Sequence, residues 1–189
     1  MQLCPCRIAP LLSFLTKPIA YKDCCQPYHE SLCNEKTDKA NSLEAENAER
    51  LMRTRYSAFV LVKPEYIVKT TLPAQQALLD IKSIESWAKE TNWAGLEIVE
   101  HTPKLGKRHA QVEFKAYYHI FDHAANGLEE KLQAHHELSA FVKVKDKAHN
   151  DTRWYFLDPT VSMTVSQKQP CICGSGEKFK RCCGAYLGN

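Results

Sequence analysis

The chain reads as an α+β domain, with helices packed on one face of a curved antiparallel sheet, and three observations predict this. Helical periodicity is confined to the stretch that precedes Asn92, and strand alternation to the stretch that follows it. All nine cysteines lie near the two ends, at Cys4, Cys6, Cys24, Cys25 and Cys33 and at Cys171, Cys173, Cys182 and Cys183, so the long middle section is an ordinary core-bearing segment. Helices first and then a run of strands is the pattern of segregated layers rather than of alternating βα units.

The first helix carries the strongest signal. Ala48, Leu51, Met52, Arg55, Tyr56, Phe59 and Val60 recur at three- and four-residue spacing and therefore share one face. Ser42 is its expected cap and Pro64 its end. Glu65–Leu72 and Leu78–Glu90 read as two shorter helices separated by Pro73. Beyond Asn92, Ala110, Val112, Phe114, Ala116, Tyr118 and Ile120 alternate with mostly polar neighbours, and Leu138, Ala140, Val142 and Val144 alternate in the same way with Glu137, Ser139, Phe141 and Lys143, as strands do. Leu96–Thr102 and Arg153–Leu157 are shorter strands, and Asn126–Gly127 marks a hairpin turn. This order of elements resembles the NTF2-like fold, a cone-shaped sheet with a pocket between sheet and helices. Polar joints at Asn34–Asn41 and Ser166–Gln169 divide the chain into 1–33, 42–165 and 166–189.

The bulk numbers agree with a globular protein. There are 189 residues, 44% hydrophobic and 25% charged, enough for one core with small appendages. The pI of 8.3 counts each cysteine as a neutral thiol. A zinc ion held by four thiolates carries a formal charge of about −2, so two such sites would offset the formal +3 of the chain. Basicity is therefore no argument for nucleic acid, and no basic stripe or RNA-binding motif is present. Adjacent pairs such as Cys24–Cys25 and Cys182–Cys183 are poor disulfide partners, and clustered cysteines point to metal in a reducing cytoplasm. The apolar run Ile8–Leu15 is interrupted by Pro10 and lacks a small-residue cleavage site, so it does not read as a signal peptide. No stretch approaches the roughly 20 apolar residues of a membrane span.

The clearest chemistry is at the C-terminal end. In Gln169–Gly184, QPCICGSGEKFKRCCG, Cys171 and Cys173 supply two soft ligands from a tight turn, and eight residues bring Cys182 and Cys183 back to complete four. Thiolates sit about 2.3 Å from zinc at tetrahedral corners. Gly174 and Gly176 permit the reversal between the pairs. Lys178, Lys180 and Arg181 offset the negative charge of the site, and Phe179 anchors a mini-domain too small for a core of its own. The string resembles the SEC-C motif, known as the zinc-binding tail of the bacterial preprotein translocase ATPase, and meets its pattern at every ligand position. Four protein thiolates leave zinc no open position, so this metal is structural or serves docking.

The start of the chain repeats the motif in altered form. Cys4-Pro5-Cys6 matches the first pair and Cys24-Cys25 the second, but seventeen residues separate Cys6 from Cys24 and the Gly-Ser-Gly turn is absent. Doubling a loop costs only about 0.6 kcal/mol, against roughly 10–16 kcal/mol for structural zinc binding, so length alone does not lose the metal. Lost preorganisation could, which leaves two readings: a second zinc site, or reduced cysteines that pack. Cys33 lies outside both quartets as a buried or free thiol, and His29 is a substitute ligand should one N-terminal cysteine be misplaced.

A SEC-C-like pattern at each end of an NTF2-like centre resembles the YchJ family of small bacterial proteins, across essentially the whole chain. The family's central marks are present as Arg53-x-Arg55-Tyr56-Ser57-Ala58-Phe59, His136-Glu137-x-Ser139-x-Phe141 and Trp154-Tyr155-x-x-Asp158. The resemblance implies an architecture and zinc, and no reaction. Pocket candidates are Arg55, Tyr56, Trp93, Tyr118, His136, Glu137 and Trp154. Arg55 interrupts an apolar stripe, so it is either a buried cation paired with Glu137 or Asp158 or an arginine snorkelling from the stripe's edge. His136 is expected on the concave face with Leu138, Ala140 and Val142, with Glu137 pointing away. A structural His136 is better supported than a catalytic one. No nucleophile motif, phosphate loop, dinucleotide fingerprint or zincin motif occurs, so no catalytic residue is assigned.

Two functions compete. The leading expectation is a non-enzymatic zinc protein of the cytoplasm whose knobs dock partners through Lys178, Lys180 and Arg181. By analogy with the translocase tail, the partner would be a protein, such as the ribosome or a secretion or chaperone component. The other is an enzyme or small-ligand carrier that uses the central pocket. A cavity with converging polar groups favours the second; one filled by aromatic side chains favours the first.

Overall fold

The computed structural model describes residues 2–11, 17–33, 43–124, 127–146 and 151–187. Helices α1 (Gln26–Cys33), α2 (Ala48–Val60), α3 (Pro64–Lys69), α4 (Pro73–Gln76) and α5 (Ile81–Glu90) precede strands β1 (Asn92–Leu105), β2 (His109–Ala124), β3 (Gly127–Asp146) and β4 (Asp151–Leu157). The strands form one antiparallel sheet in the order β1-β2-β3-β4. Helices and sheet thus make the α+β arrangement expected.

The details differ at the joints. The expected cap Ser42 lies outside the described residues; α2 is capped by Asn47, whose side chain accepts from Arg50 N at 2.8 Å. Of the expected Asn126–Gly127 turn, Asn126 also lies outside the described residues, and β2 and β3 pair up to Ala124 and Gly127. The expected helix over Leu78–Glu90 is shorter. It starts after Asp80, which caps it by accepting from Lys82 N at 3.0 Å.

Curvature comes from β1, whose register against β2 shifts three times, between Trp93 and Gly95, Ile98 and Glu100, and Thr102 and Leu105. Such bulges bend a strand and increase its twist. The inner, concave face carries Val112, Phe114, Phe141 and Phe156, which meet Leu51, Met52 and Tyr56 of α2 in the main core. The four N-terminal cysteines belong to this same core. Thr71 bridges in parallel to Phe156 of β4, with Phe156 N donating to Thr70 O and Leu72 N to Phe156 O, both at 2.9 Å. The fully buried Gln75 then clamps the exit of β4, donating to Asp158 O at 2.8 Å and accepting from Asp158 N at 3.1 Å.

Gly95 sits at the first bulge with φ +154°, where a side chain would lie 2.5 Å from Ile8 O and from Pro10 Cδ. That close approach lets Leu96 N donate to Ile8 O at 2.7 Å and seats the N-terminal segment on β1. Gly95→Ala is therefore expected to destabilise the protein by about 1–3 kcal/mol, as overpacking at a strained backbone does. Chemical denaturation checks it: an unchanged midpoint would show that the N-terminal segment makes no stabilising contact there.

Candidate metal centres and central cavity

The C-terminal quartet is assembled by hydrogen-bonded turns. Cys171 N donates to Glu177 O at 2.7 Å and Gly174 N to Cys171 O at 3.0 Å, closing a loop whose Gly174 and Gly176 take φ of +73° and +79°. Cys182 N returns to Phe179 O at 2.9 Å, within one of two short 3-10 turns, and Phe179 is buried. Gly184 is needed against that ring, since a side chain there would meet Phe179 at 2.8 Å. The sulfur of Cys173 lies 3.5 Å from those of Cys171 and Cys182. The knob rests on the outer, convex face of the sheet, where Leu72, Ala140, Val142 and Leu157 form a second core with its cysteines and Leu187. His109, the first residue of β2, joins the two: its Nε2 is 3.6 Å from Cys183 Sγ and 3.9 Å from Cys182 Sγ, and its ring stacks on Tyr186 at 4.6 Å. Sequence reasoning missed His109, whose only signal was one histidine opening an alternating strand.

The N-terminal quartet closes despite its long spacer. Cys4 N donates to Ile19 O at 2.8 Å and Tyr21 N to Gln2 O at 2.9 Å, so the two halves pair across residues 7–17. Cys6 Sγ lies 3.6, 3.7 and 3.5 Å from the sulfurs of Cys4, Cys24 and Cys25. Helix α2 supplies the surroundings: Ser57 Oγ donates to Cys25 Sγ at 3.3 Å, Arg50 Nη1 to Cys24 Sγ at 3.7 Å and Arg53 Nη1 to Cys6 O at 3.1 Å. His29 is no ligand. Its Nε2 donates to Thr54 O at 2.9 Å and its Nδ1 accepts from the Tyr21 hydroxyl at 2.7 Å, so both ring nitrogens are engaged. Cys33 is half-buried on α1, outside the quartet, and burial pushes its thiol up.

Both quartets fit zinc. Four thiolates at about 2.3 Å from one ion define a tetrahedron whose edges are about 3.8 Å. In each quartet all four sulfurs lie within 4.8 Å of one another and all four cysteines are buried. The lowest thiols are Cys24, held down chiefly by its hydrogen bond with Cys25, and Cys173, held down chiefly by Cys171. The thiolate is the form that binds metal.

Between α2, α5 and the inner sheet face lies a cavity of about 350 Å³. Phe59, Trp87 and Trp93 form one wall, with ring centroids 4.9 to 6.0 Å apart, and Phe114, Ala116 and Phe156 form another. Polar groups converge on it from β3 and the residues after β4. Glu137 accepts from Ser139 Oγ at 2.5 Å and is bonded to His135 Nε2 at 2.9 Å, while Asp158 accepts from Thr160 N and Oγ1 at 2.9 and 2.6 Å. Arg55 is 4% exposed, so it is buried and does not snorkel. Its partners are not the expected carboxylates: Nη1 donates to Ile67 O at 2.8 Å, Thr70 Oγ1 at 2.7 Å and Thr71 Oγ1 at 3.2 Å, and the guanidinium covers the Phe156 ring at 4.3 Å.

Of the sequence-derived pocket candidates, Arg55, Tyr56, Trp93 and Glu137 line this cavity. His136 does not. It faces outward, exposed, bonded to Glu113 at 2.7 Å, and the inward residues of β3 are His135, Glu137 and Ser139. The alternation misled because β3 is buried on both faces near its C-terminal end: Phe141 packs inward, while Ala140 and Val142 are apolar to receive the zinc knob. Tyr118 lies further along β2, bonded to Gln133 at 3.3 Å. Trp154 packs beside Lys143 at the edge of the main core. Cavity residues not among the pocket candidates include His135, Ser139, Phe59, Trp87 and Phe114, and Asp158 was expected only as a partner of Arg55.

A curved sheet with helices on its concave face, a cavity between them and a four-cysteine knob docked at each end defines a small zinc protein built around an NTF2-like domain. Comparison with known proteins gives the same three parts. Family models described as "YchJ family protein, N-terminal zinc binding domain", "YchJ, middle NTF2-like domain" and "SEC-C motif" match residues 1–33, 47–159 and 168–185. The chain belongs to the YchJ family. Relatives include a UPF0225 protein of Actinobacillus succinogenes, 44% identical over 98% of both chains, and one of Haemophilus influenzae, 43% identical over 99% of this chain and 94% of that one. Among solved structures, a SEC-C motif containing protein from Psychrobacter arcticus is 68% identical with a TM-score of 0.87, covering 99% of this chain and 98% of that chain. Another, from Rhodopseudomonas palustris, is 30% identical with a TM-score of 0.53, covering 75% and 91%.

Proposed function

We propose that this protein binds a small organic ligand in its central cavity, and that the two zinc knobs staple the ends of the chain to the domain that forms it. The observation that carries this reading is the cavity itself, apolar and aromatic on two walls and lined by Arg55, His135, Glu137, Ser139 and Asp158. Its volume falls in the range of about 300–1,000 Å³ typical of small-molecule sites. The inner surfaces of both knobs are spent on Ser57, Arg53 and His109, which suits clamps. Naphthalene-sized fragments added to the zinc-loaded protein should shift the NMR signals of Phe59, Trp87, Trp93 and Phe114 together. Ala116→Phe, which fills the cavity, should abolish those shifts; fragments that bind this variant unchanged would sink the reading.

A second reading has its own observation. Lys178, Lys180 and Arg181 are exposed on the C-terminal knob while its cysteines and Phe179 are buried. This suits docking on an acidic protein surface in a reducing cytoplasm, with the ribosome or a secretion or chaperone component as partner by motif analogy. Among the described residues no helix is long and apolar enough to cross a membrane. Crosslinking to an identified partner should disappear when all three cations are changed to Glu; crosslinks that persist count against it.

A further inference from the structure

We infer that the ligand of this cavity is an aromatic monocarboxylate whose carboxylate is seated on the unspent donors of Arg55. This rests on the cavity reading above. Arg55 is nine-tenths buried and forms part of the cavity wall. One nitrogen, Nη1, makes all three of its hydrogen bonds. Among the described residues the Nε and Nη2 donors meet no acceptor, and no carboxylate oxygen lies within 4.0 Å of the guanidinium. A buried cation with unspent donors and no hydrogen-bonded counter-ion is costly, unless something else satisfies it.

Among the described residues, the hydrogen bonds of the cavity's own acids go to groups other than Arg55. Both oxygens of Glu137 are used by His135 and Ser139, and Asp158 Oδ1 takes both hydrogen bonds of Thr160. Burial accordingly pulls Arg55 down to about 10, with Asp158, Tyr66 and Glu137 only partly opposing it. Arg55 remains charged at neutral pH and is under-compensated. The Nε and Nη2 donors form the side of the guanidinium that receives a planar carboxylate in two parallel bonds.

The rest of the ligand follows from the walls. Phe59, Trp87, Trp93 and Phe114 offer ring faces and edges suited to an aromatic body. Trp87 is 47% exposed and stands at the rim, where it can close over a bound ring. Glu137 and Asp158 border the same space, so a second negative charge on the ligand would be repelled. A cavity near the small end of the range of about 300–1,000 Å³ fits one or two rings.

The test compares 2-naphthoate with 2-naphthamide, equal in shape and lacking the charge, by calorimetry on the zinc-loaded full chain at pH 7. The acid should bind about tenfold or more tightly than the amide, and the preference should vanish in Arg55→Met. Because Arg55 also holds α3, that variant could fail to fold, and a second readout uses the unaltered protein. The Arg55 Nε–H resonance should move on addition of the acid and stay in place with the amide. Equal affinities, or an Arg55 signal that ignores the acid, overturn the carboxylate inference and leave the cavity reading standing. Binding of neither probe overturns both.

Discussion

Cys25→Ser is expected to release one of two zinc ions per chain and to unfold the central domain with it. Structural zinc sites contribute roughly 10–16 kcal/mol, whereas whole domains are stable by about 5–15 kcal/mol. The N-terminal quartet lies within the main core beside Leu51, Met52, Phe114 and Phe141, so its collapse opens that core. Cys183→Ser should also cost one zinc ion, with a smaller loss of stability, because that knob sits on the outer face and leaves the inner core covered. Elemental analysis gives the stoichiometry, and denaturant titration of the same samples gives the stability. Two zinc ions retained in Cys25→Ser, or a lost ion with no shift in midpoint, would show that the N-terminal quartet is not a structural metal site.

The second large effect is a loss of stability in mild acid that traces to His29. This ring is 1% exposed, and burial is the main reason it titrates down at about 4, with the bond to Thr54 O working in the opposite direction. An unfolded histidine titrates near 6.5. Between those values the unfolded chain binds the proton and the folded one does not, so stability rises with pH across the window. His29 thus contributes fully above pH 6.5, and its contribution falls away as pH drops towards 4. The total is about 3 kcal/mol, from roughly 1.4 kcal/mol per unit. His29→Gln should flatten the profile by that amount, with zinc release followed separately by a chromogenic chelator. A profile identical to that of the unaltered protein would exclude His29 as the source.

How much of this was legible depended on range. Zinc ligands two residues apart, or adjacent, announce themselves by spacing, and the structure brings the sulfurs of Cys171, Cys173, Cys182 and Cys183 together as it does those of Cys4, Cys6, Cys24 and Cys25. The stripe on α2 was legible for the same reason, since three- and four-residue periodicity is a local geometric fact. Arg55 was conspicuous because a charge on that stripe needs an explanation, but its partners on α3 and beyond could not be read from it. Ser57 and Arg53 stood in a quoted motif, but nothing in that motif tied them to the N-terminal knob that is laid against them.

The sequence by itself determined the class of layers, the helices before the strands and the two cysteine quartets, because each follows from contacts within one turn, one strand or one short loop. The tertiary structure alone decided which face of β3 looks inward. Apolar residues alternate on a strand only while one face is wet, and the docked C-terminal knob dries the other, placing Ala140 and Val142 outside and His135, Glu137 and Ser139 in the cavity. It also decided that the knobs are clamped to the domain, through His109 at one end and α2 at the other. Contacts such as these join residues more than twenty-five positions apart, where periodicity carries no information.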